Sequence, residues 1–211
     1  MIKEGTKLVF IFFLISLVLF FLSFLNNIFH IFSSLSALFT LFLVYFFRDP
    51  KREIKINDNI LYSPADGIIF EITENENSYC VRIFMSVFNV HIQRAPADGI
   101  VKKIEYKEGK FNIAGRKNTH LLNERNLIEI YLPHINNFIR ITQIAGILAR
   151  RIVCWVKNDM EVKQGQKIGA ILLGSQVDFE FPKDSYKIIV KNGSKVYAGK
   201  TPIALFKNQE S

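Results

Sequence analysis

No Asp, Glu, Lys or Arg occurs in the 40 residues from Leu8 to Phe47. That run is about twice the roughly 20 residues one helix needs to cross a bilayer, so a single soluble globule is excluded. Cysteine is scarce: Cys80 and Cys154 are the only two, both beside apolar, β-prone residues, which argues for buried reduced thiols and against a disulfide framework. There is no H-E-x-x-H and no C-x-x-C, and His30, His91, His120 and His134 show no ligand spacing, so no metal site is expected. The nearest approach to a phosphate loop, Gly193 to Thr201, has five spacers instead of four and leads into Pro202-Ile203-Ala204-Leu205, not a helix. Blocks of five or more like charges are also missing. Basic residues come as scattered pairs, Lys102-Lys103, Arg116-Lys117 and Arg150-Arg151, and nucleic acid is not an expected partner.

What the chain does have is unevenly spread. Its 211 residues are 49% hydrophobic, which excludes disorder, and 12 of the 20 Phe lie in residues 1–50. The uncharged run reads as two spans, 8–25 and 31–47, separated by Asn26-Asn27 and His30, and residues 1–47 are expected to form a membrane hairpin. Ser33, Ser36, Ala37 and Thr40 recur every three or four residues on the second span, a face that lets another helix approach closely; Ser16 and Ser23 offer a weaker match on the first. A signal peptide is the competing reading, but Leu25-Asn26-Asn27 supplies no small-residue cleavage site. Lys3 and Lys7 precede the first span, Arg48, Lys51 and Arg52 follow the second, and the connection has no cation, which predicts both ends on the cytoplasmic side of the cell membrane. Residues 48–211 carry a net charge of +7, suited to an anionic bilayer surface.

After Arg48-Asp49-Pro50 the sequence turns to short β-branched and aromatic runs punctuated by Gly, Pro, Asn and Asp. Candidate strands are Gly67–Thr73, Cys80–Phe84, Gly99–Tyr106, Asn126–Tyr131, Asn137–Gln143, Ile152–Val156, Ile168–Leu173, Val177–Phe181 and Lys187–Val190. Two pieces repeat at offsets near 33 residues. Pro64-Ala65-Asp66-Gly67 is echoed by Pro96-Ala97-Asp98-Gly99, and Val162-Lys163-Gln164-Gly165 by Val196-Tyr197-Ala198-Gly199. Such paired turns are similar to the hairpins of biotinyl and lipoyl carrier domains. The expected fold class is mainly β, a duplicated-hairpin β-sandwich or barrel of the barrel-sandwich-hybrid kind behind the helical hairpin. Carrier function itself is not expected, because no Lys flanked by Met sits at a hairpin tip.

Three segments remain: Tyr62 to Gly67; Phe84-Met85-Ser86-Val87-Phe88-Asn89-Val90-His91-Ile92-Gln93-Arg94-Ala95-Pro96; and Leu173-Gly174-Ser175-Gln176-Val177-Asp178. A Gly-Ser pair alone means nothing, and a second stands at Gly193-Ser194. The ordered trio behind an apolar anchor resembles the short, pyruvoyl-dependent phosphatidylserine decarboxylase family, from Tyr45 to the C-terminal strands. The resemblance implies a lyase that decarboxylates phosphatidylserine in the membrane to phosphatidylethanolamine. It implies self-cleavage between Gly174 and Ser175 into a β chain, 1–174, and an α chain, 175–211, that stay together as a heterodimer, with a higher oligomer left open. Ser175 becomes the covalent pyruvoyl cofactor and holds the substrate amine as a Schiff base, His91 is the general base toward the Ser175 hydroxyl, and Asp66 orients and stabilises the imidazolium. A serine hydroxyl beside a glycine carbonyl suits this chemistry, because glycine adopts the backbone conformation the attack needs and the hydroxyl is a weak nucleophile until a base accepts its proton.

Bland readings stand beside these. Asp66 in Pro-Ala-Asp-Gly is also a good turn former, as Asp98 is read to be, and His91 in an apolar run is also a hydrogen-bonded core histidine. The pattern departs from the family at Arg94, where longer members carry a second His, leaving open whether His91 serves both self-cleavage and decarboxylation. Gln176 stands where a basic residue is common in the short group. Arg94 is a candidate contact for the lipid phosphate through its bidentate guanidinium. Two alternatives accompany the main reading: an archaetidylserine decarboxylase of the same mechanism, and a non-enzymatic membrane-tethered adaptor. The topology is directly testable: single cysteines placed from Asn26 to His30 are expected to react with an impermeant thiol reagent from outside intact cells, and labelling only after lysis would reverse the assigned orientation.

Overall fold

A computed structural model of the chain describes residues 1–112, 122–146, 151–172 and 174–207. Arg116-Lys117, His120, Arg150 and Leu173, named above, lie outside the described residues. The chain divides into two compact units, Met1–Lys51 and Arg52–Ser211.

The first unit is a pair of helices, α1 (Lys3–Leu22) and α2 (Ile28–Phe46), both long and apolar enough to cross a membrane. Its burial is inverted relative to a soluble helix pair. Ser16, Ser33 and Thr40 are buried, while Phe10, Phe21, Leu38 and Leu41 are exposed. The small-residue face expected from the spacing is the contact between the helices. Ser16 Oγ lies 2.8 Å from Ser36 Oγ and 3.4 Å from Thr40 Oγ1, and the Ser33 hydroxyl donates to the Ser16 carbonyl at 3.4 Å. Hydroxyls satisfied against one another and apolar rings turned outward suit a lipid surround, consistent with a membrane anchor. Between the helices Asn26 Oδ1 accepts the Ile28 N–H at 3.0 Å, so the polar interruption read as a break between spans holds the turn.

The second unit is built from short antiparallel strands: β1 (Ile60–Tyr62), β2 (Gly67–Glu74), β3 (Ser78–Met85), β4 (Ile92–Arg94), β5 (Gly99–Lys107), β6 (Arg125–Leu132), β7 (Asn137–Ala145), β8 (Arg151–Cys154), β9 (Glu161–Val162), β10 (Lys167–Leu172), β11 (Ser175–Pro182), β12 (Tyr186–Ile188), β13 (Lys195–Val196) and β14 (Pro202–Phe206). Eight of them form one sheet in the order β13-β2-β3-β11-β7-β6-β5-β9, curled as a half-barrel, and two three-stranded sheets, β1-β14-β12 and β4-β10-β8, accompany it. Alternation drives the longer strands: Ile128, Ile130 and Leu132 of β6 and Val177, Phe179 and Phe181 of β11 turn into a core shared with Val81, Ile83, Ile139, Ile141 and Tyr186. The nine candidate strands are all present with shifted ends. β1, β4, β9, β13 and β14 were not among them; all but the five-residue β14 are too short to show a period of two, and β4 reads Ile-Gln-Arg and is buried throughout.

The sequence echo is a structural one. Asp98 Oδ1 accepts the Gln164 N–H at 2.7 Å, and Asp66 Oδ1 accepts the Ala198 N–H at 2.8 Å. The turns also clasp reciprocally: the Arg94 N–H donates to the Pro64 carbonyl at 2.9 Å, and the Tyr62 N–H donates to the Pro96 carbonyl at 3.1 Å. Gly165 and Gly199, at φ +79° and +70°, close the two Val-x-x-Gly turns in a conformation that other residues rarely adopt. Both pack against Ile54.

Of the two thiols expected in the core, only Cys80 is buried; Cys154, on the edge strand β8, is half-buried. Burial, reinforced by the nearby Asp178 carboxylate, pushes the Cys80 thiol up to about 12. Replacing the fully buried Phe179 by Ala is expected to cost about 3–5 kcal/mol of the second unit's stability, read as an earlier denaturation midpoint in detergent.

Candidate functional site

Ser175 is the first residue of β11 and is flanked on both sides, by Met85 at the end of β3 and Ala145 at the end of β7. It is completely buried, and its hydroxyl points at the Met85 sulfur at 3.4 Å. Gly174, before it, has φ +60°, and its would-be Cβ meets open space, so the preference for glycine here comes from the backbone and not from crowding. The Gly174 carbonyl accepts the Gly146 N–H at 3.0 Å, one ladder position beyond the Ser175–Ala145 pair.

The middle segment is a turn that aims a histidine. Asn89 Oδ1 accepts both the Ser86 N–H at 2.8 Å and the Ser86 hydroxyl at 2.9 Å, while the Asn89 N–H donates to the Ser86 carbonyl at 3.0 Å. This is the reason for the Ser-x-x-Asn spacing. The Asn89 carbonyl then lies 2.9 Å from His91 Nδ1. A carbonyl only accepts, so Nδ1 carries the proton and Nε2 is the basic nitrogen of the neutral ring. His91 is buried just before β4, and its own carbonyl accepts the Ile171 N–H at 3.1 Å and the Gln93 amide at 3.1 Å.

Gln93 links this histidine to the serine. Its Nε2 also lies 3.6 Å from Met85 Sδ, the atom that faces the Ser175 hydroxyl. Behind Gln93 stand Gln143, which donates to Gln93 Oε1 at 2.8 Å, and Asn126, which donates to Gln143 Oε1 at 2.9 Å. These three buried amides had not been singled out in the sequence. Gln176 is also buried and donates to Asp178 Oδ1 at 2.6 Å.

Asp66 lies in the first Pro-Ala-Asp-Gly turn, and Arg94 ends β4. Asp66 is buried and bound in bidentate fashion by Arg52, at 2.6 Å and 2.7 Å, with the Ala198 N–H as a further donor. Its carboxylate oxygens are thus engaged with Arg52 and Ala198, while the imidazole is oriented at Nδ1 by Asn89. Arg52, counted among the cations after the second span, has its charge neutralised by this pair, and it also donates to the Ala198 carbonyl at 2.8 Å. Arg94 is buried too, with Nη1 on the Gly165 carbonyl at 2.7 Å. In the second copy of the turn Asp98 is partly exposed; against the upward push of its modest burial, the Gln164 N–H and the Lys163 ammonium hold its carboxyl below the usual range.

The family model described as phosphatidylserine decarboxylase matches residues 39–204. A phosphatidylserine decarboxylase proenzyme of Carboxydothermus hydrogenoformans is 38% identical over 172 residues, 78% of this chain and 80% of the relative. A second such proenzyme, of Syntrophus aciditrophicus, is 40% identical over 169 residues, 77% of this chain and 78% of the relative. A proenzyme of Methanosarcina mazei, provisionally named archaetidylserine decarboxylase, is 43% identical over 166 residues, 79% of this chain and 76% of the relative.

The two copies of the turn make opposite predictions. Arg52→Ala strands a buried carboxylate and is expected to cost about 3–5 kcal/mol, measured by denaturation in a Ser175→Ala background. Lys163→Ala, at the exposed pair, is expected to leave the midpoint unmoved.

Proposed function

The chain belongs to the phosphatidylserine decarboxylase family, and from that premise we propose a self-processing enzyme whose named residues divide the work as follows. The reaction is decarboxylation of phosphatidylserine to phosphatidylethanolamine and carbon dioxide. The observation that carries the processing reading is the Gly174-Ser175 junction: a left-handed glycine followed by a fully buried hydroxyl at the head of a strand held on both sides.

In the proposed sequence His91 Nε2 takes the Ser175 hydroxyl proton as Oγ bonds to the Gly174 carbonyl carbon. The π pair moves to the carbonyl oxygen; its return expels the Ser175 nitrogen, which takes up a proton, and an ester remains. Loss of the Ser175 Cα proton then breaks the Cβ–O bond, releases the Gly174 carboxylate and leaves a dehydroalanine at the new terminus. Its imine form takes up water and loses ammonia, leaving the ketone of a pyruvoyl group. The residues fit that group, since its carbons all come from Ser175. When present, it supplies an electron sink joined to the substrate amine, the part pyridoxal phosphate plays elsewhere.

Asn89 fixes the tautomer that leaves Nε2 basic, and the Gln93–Gln143–Asn126 amides hold the strand behind it. Asp66 acts in this reading through the turn it shares with Arg52 and Ala198, and reaches the imidazole once Arg52 yields an oxygen. Arg94 contacts the lipid phosphate while Nη1 keeps its bond to the Gly165 carbonyl. The helices anchor residues 48–211 at the cytoplasmic face, and the duplicated turns are those of a barrel-sandwich hybrid. Family membership sets aside the non-enzymatic adaptor. No observation favours the archaetidylserine alternative, because the serine head group is common to both lipids.

Intact mass spectrometry of the purified protein is expected to show two chains cut between Gly174 and Ser175, with a pyruvoyl-capped fragment of 37 residues, and a single whole chain for Ser175→Ala. A folded native chain that stays whole at 24.4 kDa would sink the processing reading.

A further inference from the structure

The peptide unit joining Ala145 to Gly146 is held at both ends. Its N–H donates to the Gly174 carbonyl oxygen at 3.0 Å, and its carbonyl accepts Asn123 Nδ2 at 2.6 Å. Asn123 is completely buried, and its amide has a single consistent orientation: Oδ1 accepts the Asn112 N–H at 3.0 Å while Nδ2 also donates to the Asn112 carbonyl at 2.9 Å. Resting on the self-processing reading above, we infer that Asn123 is a positioning residue for self-cleavage, acting through the Gly146 N–H on the carbonyl that Ser175 attacks.

The argument turns on which atom gains charge. When Ser175 Oγ bonds to the Gly174 carbonyl carbon, the π pair moves onto the oxygen that already faces the Gly146 N–H. A neutral hydrogen bond becomes a charge-assisted one, so the contact strengthens toward the transition state, as a catalytic donor must. A bond accepted at the Ala145 carbonyl polarises the same peptide and makes its N–H a better donor. It also fixes the rotation of the peptide plane at the end of β7, where the ladder to β11 runs out. An ordinary strand would need no buried side chain there; in this chain a fully buried amide holds the terminal carbonyl.

The test is the rate of self-cleavage of newly made Asn123→Ala chain beside native chain, with folding checked by thermal melting. Asn123→Ala is expected to cleave about tenfold more slowly or worse, a milder loss than the roughly 10²–10³ that follows direct removal of an oxyanion donor. Hydroxylamine separates this from a structural role: it attacks the ester, leaving a hydroxamate on Gly174 and a free amine on Ser175, so it speeds cleavage only where the ester already forms. Slow cleavage that hydroxylamine does not restore supports the inference. Native-rate cleavage overturns it, and so does slow cleavage that hydroxylamine brings to the native rate. If Asn123→Ala does not fold, amide exchange in the Ser175→Ala precursor decides: protection of the Gly146 N–H by about tenfold or more over a free amide supports it, and free exchange overturns it. A native chain that is never cut removes the self-processing reading and this one together, whereas native cleavage matched by folded Asn123→Ala removes this one alone.

Discussion

The constraint on which the proposed chemistry depends is the grip on the peptide between Gly174 and Ser175. A free Gly-Ser peptide lacks that grip, and water competes for its hydroxyl and carbonyl. Here Ser175 opens a strand paired on one side with β3 and on the other with β7, so its backbone is gripped from both sides while Gly174, one residue earlier, swings to φ +60°. The hydroxyl is shut away beside the Met85 sulfur, a weak acceptor that leaves it ready for a stronger base. Longer strands elsewhere supply apolar bulk, and β11, the fourth of the eight strands in the large sheet, carries the junction at its head.

The two copies of the turn share one backbone arrangement and differ in the setting of their aspartates. Both Pro-Ala-Asp-Gly turns use the aspartate to accept a backbone N–H from the facing Val-x-x-Gly turn, which is sufficient reason for each aspartate to be there. Only in the first copy is the carboxylate buried and bound by an arginine. A buried ion pair seldom adds net stability over an apolar filling of the same shape, because desolvation offsets the attraction. The exposed Lys163–Asp98 pair shows that the turn closes without one. Stability alone therefore does not account for the buried Arg52–Asp66 pair.

The legible parts of this chain are those whose information is local. Helix contacts could be read from Ser33, Ser36, Ala37 and Thr40 because their spacing is the helix period, and Ser16 met them as that face requires. Ser86, Asn89 and His91 were legible as a motif through the family resemblance, and the Ser86–Asn89 spacing is that of a four-residue turn. Arg52 was read as a membrane-flanking cation and proved to be the partner of Asp66, since nothing in its neighbourhood along the chain announces a carboxylate 14 positions away. Gln143 and Asn126 were invisible for the same reason: a polar residue in a strand-like run reads as the solvent face unless its partner across the core is known; Asn123 lies before β6, where no pattern marks it. The strands of two or three residues were lost because so short a segment has no period to detect.

The strand order also bears on what a cut would do. A chain opened at Gly174-Ser175 gives up one covalent link, but the part that follows is woven through the rest: β11 lies between β3 and β7, β13 pairs with β2, and β14 pairs with β1. Val177, Phe179 and Phe181 are buried in the common core, so releasing this segment would expose three of its largest contributions. A cut there would therefore leave a two-chain protein instead of a shed peptide. The arrangement has a further consequence for an enzyme whose substrate stays in a bilayer. On the proposed cut the apolar helices would belong to the first chain and the reactive terminus to the second, so strand pairing would have to keep the reactive group with the anchored chain. Loss of the β11 pairings would abolish activity on membrane lipid even with the reactive group chemically intact.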